Sequence, residues 1–333
     1  MSVETLRCLE VTKGADGHPI AAVAERPLPT PGDGEVLVRV QWSSLNYKDA
    51  LVTTGQLGME PKYPHVPGID ASGEVVESRS DKFSPGQRVI VTSYDLGVGR
   101  PGGWADYICV PHEWIVPLPS GLGLCEAMIL GTAGLTAGLC VDALQQHGIT
   151  PERGEILVTG ATGGVGSLAV RLLSHLGYRV VAVSGKASMS EMLMRCGAQE
   201  IIARDDFQDD SPKPLLKGRW AGVVDCVGGK MLAHAIRQTQ PQGCVTACGL
   251  VGGTDLPLTI FPFILRGVTL AGIDSVYCPY EWRAAVWQKL AGPWKLPTLG
   301  EYVTIVTLDA LPLLVARMLR GELAGRIVVS LAK

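Results

Sequence analysis

No two cysteines of this 333-residue chain stand in a C-x-x-C pair. The nine cysteines are scattered, so their spacing excludes a zinc knuckle. They fit small buried hydrophobes in a reducing compartment better than a disulfide framework. Charge of one sign is scarce as well. A net charge of −3 gives no long-range attraction for nucleic acid or an anionic membrane, and neither is expected as a partner. A long hydrophobic run is also missing: the longest uncharged apolar stretch, residues 127–141, is rich in glycine and shorter than the roughly 18–20 residues that span a bilayer. Residues 1–10 carry charges where a signal peptide needs an apolar region, so a cytoplasmic protein is expected. There is no internal repeat, and the length points to two domains.

What the chain does have is a glycine turn between two apolar segments. Residues 156–158 read as a buried strand and Gly160-Ala-Thr-Gly-Gly-Val-Gly166 as a turn. The stripe Leu168, Leu172, Leu173, Leu176 then marks a helix ended by Gly177. Glycines at 160, 163, 164 and 166 let bare N–H groups and a helix N-terminus approach a pyrophosphate. The same glycines would serve a turn that only packs a helix on a sheet; the strand–turn–helix order favours the nucleotide. A second strand, residues 178–186, follows at βαβ spacing, and its end is where an adenosine ribose lies. An NAD site wants a carboxylate there, but no Asp or Glu occurs between Gly177 and Ser190. Ser184, Gly185 and Lys186 offer a hydroxyl, an N–H and a cation instead, which suits the 2′-phosphate of NADPH. Arg204, after the strand at 200–204, is either a second cation for that phosphate or a solvated surface arginine.

Around this cradle the first third of the chain carries strand-like runs at 35–40, 73–77, 88–92 and 106–110, cut by Pro and Gly. From about residue 127 helix and strand alternate, through strands at 222–226, 243–248 and 268–273, which implies a parallel sheet with crossover helices. A helix at 309–320 and a strand at 326–330 close the sequence.

The order Ser44-Leu-Asn-Tyr-Lys-Asp-Ala50, Pro67-Gly-Ile-Asp-Ala-Ser-Gly73, Gly131-Thr-Ala-Gly-Leu-Thr-Ala137, Gly160-Ala-Thr-Gly-Gly-Val-Gly166, Pro262-Phe-Ile-Leu-Arg-Gly267 and Gly272-Ile-Asp-Ser-Val276 resembles the medium-chain dehydrogenase/reductase superfamily. Within it, the chain is most similar to the quinone-oxidoreductase-like branch that contains the NADPH-dependent acrylyl-CoA reductases, over residues 36–329. The resemblance implies an α/β fold. A Rossmann doubly wound parallel sheet domain, residues 128–276, is inserted into a discontinuous β-rich GroES-like domain, residues 1–127 and 277–333. The superfamily also holds zinc alcohol dehydrogenases, whose Gly-His-Glu stands where this chain has Gly68-Ile69-Asp70. Isoleucine cannot ligate a metal, the ligand cysteine near Tyr47 is missing, and only Cys109 and Cys125 lie where a four-cysteine lobe would be. No metal is expected.

Without a Lewis acid, the substrate must accept hydride readily. The resemblance implies reduction of an activated C=C bond, acrylyl-CoA to propionyl-CoA, by hydride transfer to the β-carbon and protonation at the α-carbon. Tyr47 is the leading catalytic candidate, as a proton or hydrogen-bond donor, or as a contact to the ribose or nicotinamide. Asn46 is expected to orient the substrate carbonyl, and protonation by solvent stays open. For the cofactor, the resemblance assigns Thr162, Gly163, Gly164 and Val165 to the pyrophosphate; Ser184, Gly185, Lys186 and Arg204 to the 2′-phosphate; Leu250, Ile264 and Ser275 to the nicotinamide side; and Arg326 as a further contact. Plain core packing is the alternative for the apolar members. Arg100-Pro101 departs from the aromatic or polar pair usual in the family and leaves the acyl preference open, Arg100 either reaching a CoA phosphate or facing solvent. An NADPH:quinone oxidoreductase and a non-catalytic NADPH-binding protein are the rival readings. A homodimer paired along the strand at 268–273 is expected from the fold.

Overall fold

Short runs rich in Val and Ile, interrupted by Gly and Pro, build the β-rich part of the chain. The computed structural model describes residues 4–56, 58–209 and 211–331. β1 (Thr5–Lys13) and β2 (Pro19–Pro27) form an antiparallel hairpin, with Thr5 opposite Pro27 and Lys13 opposite Pro19. It escaped the sequence reading because prolines at both ends of β2 read as loop. β3 (Glu35–Leu45) pairs antiparallel with β4 (Asp70–Ser78) and β6 (Tyr107–Pro111), while β5 (Arg88–Thr92) joins β4 to β7 (Ile115–Pro117). Helix α1 (Tyr47–Thr54) leaves the end of β3. Its start is written locally: Asn46 is extended at φ −119°, ψ 162°, and Asp49, three residues on, reaches back to the Asn46 backbone. Its end is Gly55, left-handed at φ 64°.

Helix α2 (Leu124–Gln146) is longer than the uncharged stretch inside it, and by length and composition alone would cross a membrane. Of its most apolar 18-residue window, 83% is buried within the protein, so it is a core helix. It is also broken at Gly131, where φ 52° and ψ −155° leave helical space for a region that only glycine enters freely. Beyond it come β8 (Glu155–Val158), α3 (Gly164–His175), β9 (Arg179–Ser184), α4 (Ser190–Arg195), β10 (Glu200–Ala203), β11 (Trp220–Asp225), α5 (Gly229–Arg237), β12 (Thr239–Ala247), α6 (Phe261–Arg266) and β13 (Thr269–Gly272). Their six strands form one parallel sheet in the order β10-β9-β8-β11-β12-β13. This is the doubly wound dinucleotide arrangement, with β8 and the cradle at the point where strand order reverses.

α7 (Tyr280–Ala291), β14 (Val303–Val306), α8 (Leu311–Leu319) and β15 (Arg326–Ser330) complete the chain, and β15 pairs antiparallel with β3 and parallel with β14. Two compact units result. One holds the chain up to Thr132, Val276–Ala284 and the chain from Thr298; the other holds Ala133–Ser275 and Ala285–Pro297. The expectation that residues 277–333 return as a block to the β-rich domain is corrected at residues 285–297. Val286, Trp287, Leu290 and Trp294 are buried there. A Cβ at Gly138 on α2 would lie 2.6 Å from Val286 Cγ1, and Lys289 pairs with Asp142 on the same helix. Apolar burial thus ties this half of α7 to the nucleotide-side unit.

A Cβ on Gly131 would run into the Asp70 carboxylate as well as force a strained backbone. Gly131→Ala should therefore destabilise the protein by about 2–4 kcal/mol. Urea denaturation reads this directly; a midpoint equal to that of wild type would mean that the helix break is not required.

Candidate active site

At the turn from β3 into α1, a set of buried polar groups is matched donor to acceptor. Asp70, the first residue of β4, is fully buried. Its carboxylate accepts from Ser44 Oγ (2.5 Å), Asn46 Nδ2 (2.8 Å), the Thr132 backbone N–H (3.0 Å) and Thr132 Oγ1 (2.6 Å). Arg326, on β15, is buried too: its Nε donates to the Ile129 carbonyl (2.7 Å) and its Nη1 to Asn46 Oδ1 (3.1 Å). The Asn46 amide therefore has one orientation, nitrogen toward the carboxylate and oxygen toward the guanidinium, because the flipped form would set like against like. Asp49 accepts the backbone N–H groups of Ile69 and Asn46, each at 2.8 Å. Burial, with the neighbouring Asp70 charge adding to it, pushes the Asp49 carboxyl up to about 7. Burial also lowers the pKa of Arg326, against the attraction of Asp70 and Asp49.

Two expectations change here. Asn46 has both ends of its amide engaged inside the protein, so it positions the start of α1 instead of presenting itself to a substrate carbonyl. Arg326 is an internal strut, its guanidinium turned to protein acceptors and not to a cofactor. Tyr47 is different. It opens α1 directly after Asn46, is 38% exposed, and among the described residues its hydroxyl has no partner. Ser44, Asp49, Asp70 and Thr132 were not singled out as site residues from sequence. Asp70 stood in view beside Ile69, but nothing local reveals that Thr132, 62 positions on, will meet it.

In the other unit, the cradle has the expected form. Gly160 takes φ 59°, and a Cβ on Gly166 would strike the Gly160 carbonyl, so the turn and the helix close on each other only with glycine at both. Thr162 is buried and Gly163 caps α3, leaving the first N–H groups of the helix, from Gly164 and Val165, directed out of the turn. Behind the turn, Asp225 at the end of β11 accepts from Thr159 Oγ1 (2.6 Å) and the Gly228 N–H (2.7 Å), fixing two strand ends together. At the next strand end, β9 and β10 run in register with Ser184 beside Ala203. Ser184 Oγ accepts the Lys186 N–H (3.0 Å), and the Arg204 guanidinium lies over Gly185, where a Cβ would be 3.2 Å from Nη1. The structure thus brings Ser184, Gly185, Lys186 and Arg204 together. Arg204 is also paired with Asp205 at 3.0 Å.

Leu250 and Ile264 are 50% and 64% exposed, which removes core packing as their role. Ser275 is half-buried and accepts from Thr136 Oγ1 (2.8 Å). Arg100 does not reach freely into solvent, because it pairs with Glu35 and lies 5.9 Å over the Trp114 ring.

The geometry agrees with comparisons to known proteins. The alcohol dehydrogenase GroES-like domain matches residues 32–120 and the zinc-binding dehydrogenase domain residues 164–292. The acrylyl-CoA reductase AcuI of Ruegeria pomeroyi is 45% identical over 313 residues, spanning 94% of this chain and 95% of its own. The chain belongs to the medium-chain dehydrogenase/reductase superfamily. Within that superfamily it falls in the AcuI-like branch of oxidoreductases. YhfP of Bacillus subtilis, whose name assigns it provisionally to the quinone oxidoreductases, is 45% identical over 326 residues, 98% of each chain. A crystal structure of that protein with NAD bound has a TM-score of 0.94 and covers 99% of this chain and 100% of that one, at 44% identity. The yhdH oxidoreductase of Salmonella enterica, in complex with NADP, also has a TM-score of 0.94 at 44% identity, covering 98% of this chain and 100% of that one.

In this member of the superfamily, protein donors surround Asp70, next to Ile69, whose N–H is held by Asp49. Asp49 then carries a distinctive pH signature. Its folded-state pKa of about 7 stands above the about 3.9 of an unfolded Asp, so between these values the folded chain holds a proton that the unfolded chain has released. Stability should fall as pH rises through this window and level off above it. Relative to Asp49→Asn, which does not titrate, the wild type should lose up to about 1.4 kcal/mol per pH unit between pH 5 and 6.5. A stability difference that stays constant from pH 5 to 8 in urea titrations would show Asp49 ionised throughout.

Proposed function

We propose that this chain reduces an activated C=C bond with NADPH and without zinc, the reaction being acrylyl-CoA to propionyl-CoA. The observation that carries the cofactor reading is the end of β9, where the Arg204 guanidinium lies over Gly185, Lys186 follows directly, and no carboxylate intervenes on the strand. A ribose 2′-phosphate, doubly charged and rich in acceptors, fits such a pocket, whereas the 2′-hydroxyl of NADH gains little from it. Independence from zinc is supported by Ile69 and by the Asp70 carboxylate, whose oxygens already hold Ser44, Asn46 and Thr132. The thioester reading is supported by the 45% identity to an acrylyl-CoA reductase.

When bound, NADPH supplies the hydride that adds to the β-carbon, and the thioester oxygen then carries enolate charge until the α-carbon takes a proton. The chain's own residues do the holding. The turn from Thr162 to Val165 and the α3 N-terminus bind pyrophosphate, Leu250, Ile264 and Ser275 border the nicotinamide, and Ser184, Gly185, Lys186 and Arg204 grip the 2′-phosphate. Tyr47 presents the exposed hydroxyl, placed by the Asn46–Asp49–Asp70 network, to donate a hydrogen bond or a proton. A quinone acceptor is the second reading, favoured by the equal identity to YhfP. A cytoplasmic setting accords with nine free cysteines.

NADPH oxidation by purified, chelator-treated protein, with acrylyl-CoA and a simple quinone as parallel acceptors and NADH as control, tests this directly. Efficient acrylyl-CoA turnover with NADPH preferred is expected. Lys186→Ala combined with Arg204→Ala should weaken NADPH by about tenfold or more, roughly 1.4 kcal/mol, with NADH little changed. Turnover of the quinone alone would move the substrate assignment to the second reading. Turnover of neither acceptor would favour a non-catalytic NADPH-binding protein. In the same assay, unchanged turnover by Tyr47→Phe at saturating substrate would remove Tyr47 from the chemistry.

A homodimer fits the exposed Ile260, Phe261, Ile264 and Leu265 beside the outermost strand β13. Light scattering should give twice the mass of one chain; a monomer mass at micromolar concentration would remove this assembly.

A further inference from the structure

Three thiols gather in the nucleotide-side unit, and the reductase chemistry uses none of them. Cys226 follows β11 and Cys248 follows β12, at adjacent positions of neighbouring parallel strands: Asp225 is in register with Ala247, and the Cys248 N–H donates to the Asp225 carbonyl (2.9 Å). Their sulfurs are 3.9 Å apart. Neighbouring strands lie about 4.8 Å apart, within the roughly 4.4–6.8 Å that a disulfide needs between Cα atoms. Both cysteines are half-buried, so a small oxidant can reach them, whereas Cys140 on α2 is fully buried beneath.

We propose that Cys226 and Cys248 form a hydroperoxide-responsive dithiol, closing to a disulfide that weakens cofactor binding. The effect on binding rests on the NADPH reading above; the chemistry of the pair does not. Either thiolate can attack first, since the sulfurs face each other, and the steps are equivalent from Cys226 and from Cys248. From Cys248, the thiolate attacks one peroxide oxygen: an S–O bond forms, the O–O bond breaks, and the departing oxygen takes a proton, leaving a sulfenic acid on Cys248. The Cys226 sulfur gives up its proton and attacks the Cys248 sulfur. The S–S bond forms, the S–O bond breaks, and hydroxide leaves with that proton as water. Two electrons pass from the thiols to the peroxide, and a dithiol reductant reverses the change.

The consequence for the cofactor follows from what each cysteine is tied to. Drawing the sulfurs from 3.9 Å to about 2.05 Å turns the two side chains toward each other, so the change bears first on the groups packed against them. The Cys226 N–H donates to Thr159 Oγ1 (3.0 Å), the residue before the Gly160 turn, and the Cys226 side chain packs beside that turn. Gly249 already sits against the Cys226 backbone with no room for a Cβ, and Leu250 follows it. The phosphate turn and the Leu250 loop are thus the neighbours through which the disulfide acts on the cofactor.

Treatment of the reduced protein with a small excess of hydrogen peroxide tests the pair. Expected are a disulfide-linked peptide joining Cys226 and Cys248 by mass spectrometry, the loss of two titratable thiols per chain, and a fall of tenfold or more in NADPH affinity by fluorescence. Dithiothreitol should reverse all three. Cys226→Ala should form no such link and keep its NADPH affinity through the treatment, while Cys140→Ala should respond as wild type. Sulfinic acid on Cys248 without a cross-link, a Cys140–Cys248 link, or a Cys226–Cys248 link that leaves NADPH affinity unchanged would each overturn the proposal. Failure of the untreated protein to bind NADPH would count against the cofactor reading instead, with the peptide link still deciding the dithiol chemistry.

Discussion

A buried carboxylate is expensive unless every lone pair finds a donor, and Asp70 imposes that condition on three separate stretches of the β-rich unit. Ser44 and Asn46 come from the end of β3, Thr132 from beyond the helix break, and Arg326 joins through the Asn46 amide from the last strand. None of these groups can leave alone without stranding a charge or a dipole in the interior. The network is therefore held as a unit, and the entry into α1 is held with it. Tyr47 inherits its placement from this: it is exposed, yet it follows a residue whose backbone and side chain are both pinned.

Around the Asp70 carboxylate, neutral hydrogen-bond donors do most of the stabilising, with one buried guanidinium near by. Asp49, a second carboxyl within the same network, is pushed up to about 7, far above the usual carboxylate range, by burial and by the Asp70 charge.

The dinucleotide half was legible because its determinants are local. A strand, a turn that demands glycine and a helix succeed one another within about twenty residues, and the lack of an acid after Gly177 can be read directly. The convergence of Arg204 on Gly185 required only that β10 pair with β9, which βαβ order implies. The polar network was not legible in the same way. Ser44, Asp70, Thr132 and Arg326 lie far apart in sequence, and each alone is an unremarkable residue; the contacts between them exist only once β3 has paired with both β4 and β15. Asn46 and Arg326 were picked out on family likeness and then given outward roles, whereas the fold turns both inward. The divided allegiance of residues 277–333 was hidden for the complementary reason, that burial against a distant partner leaves no local period to read.

In the parallel sheet, the chemically committed residues sit at carboxyl ends of strands: the turn after β8, Ser184 on β9, Asp225 on β11 and Cys248 after β12. This follows from chain direction, since each such end feeds a loop toward a helix N-terminus, where unpaired N–H groups face an anionic ligand. Strand ends one interstrand spacing apart must also share space without side-chain bulk, which is why Gly228 and Gly249 pack against backbone and Gly160 against the Val227 and Cys226 side chains. A larger residue at 226 or 248 would press on those contacts, so small side chains are favoured there, and cysteine meets that requirement while adding chemistry. The crowding that lets the loops approach a dinucleotide thus also brings two sulfurs close together, and the closer the backbones pack, the smaller the movement needed to couple them.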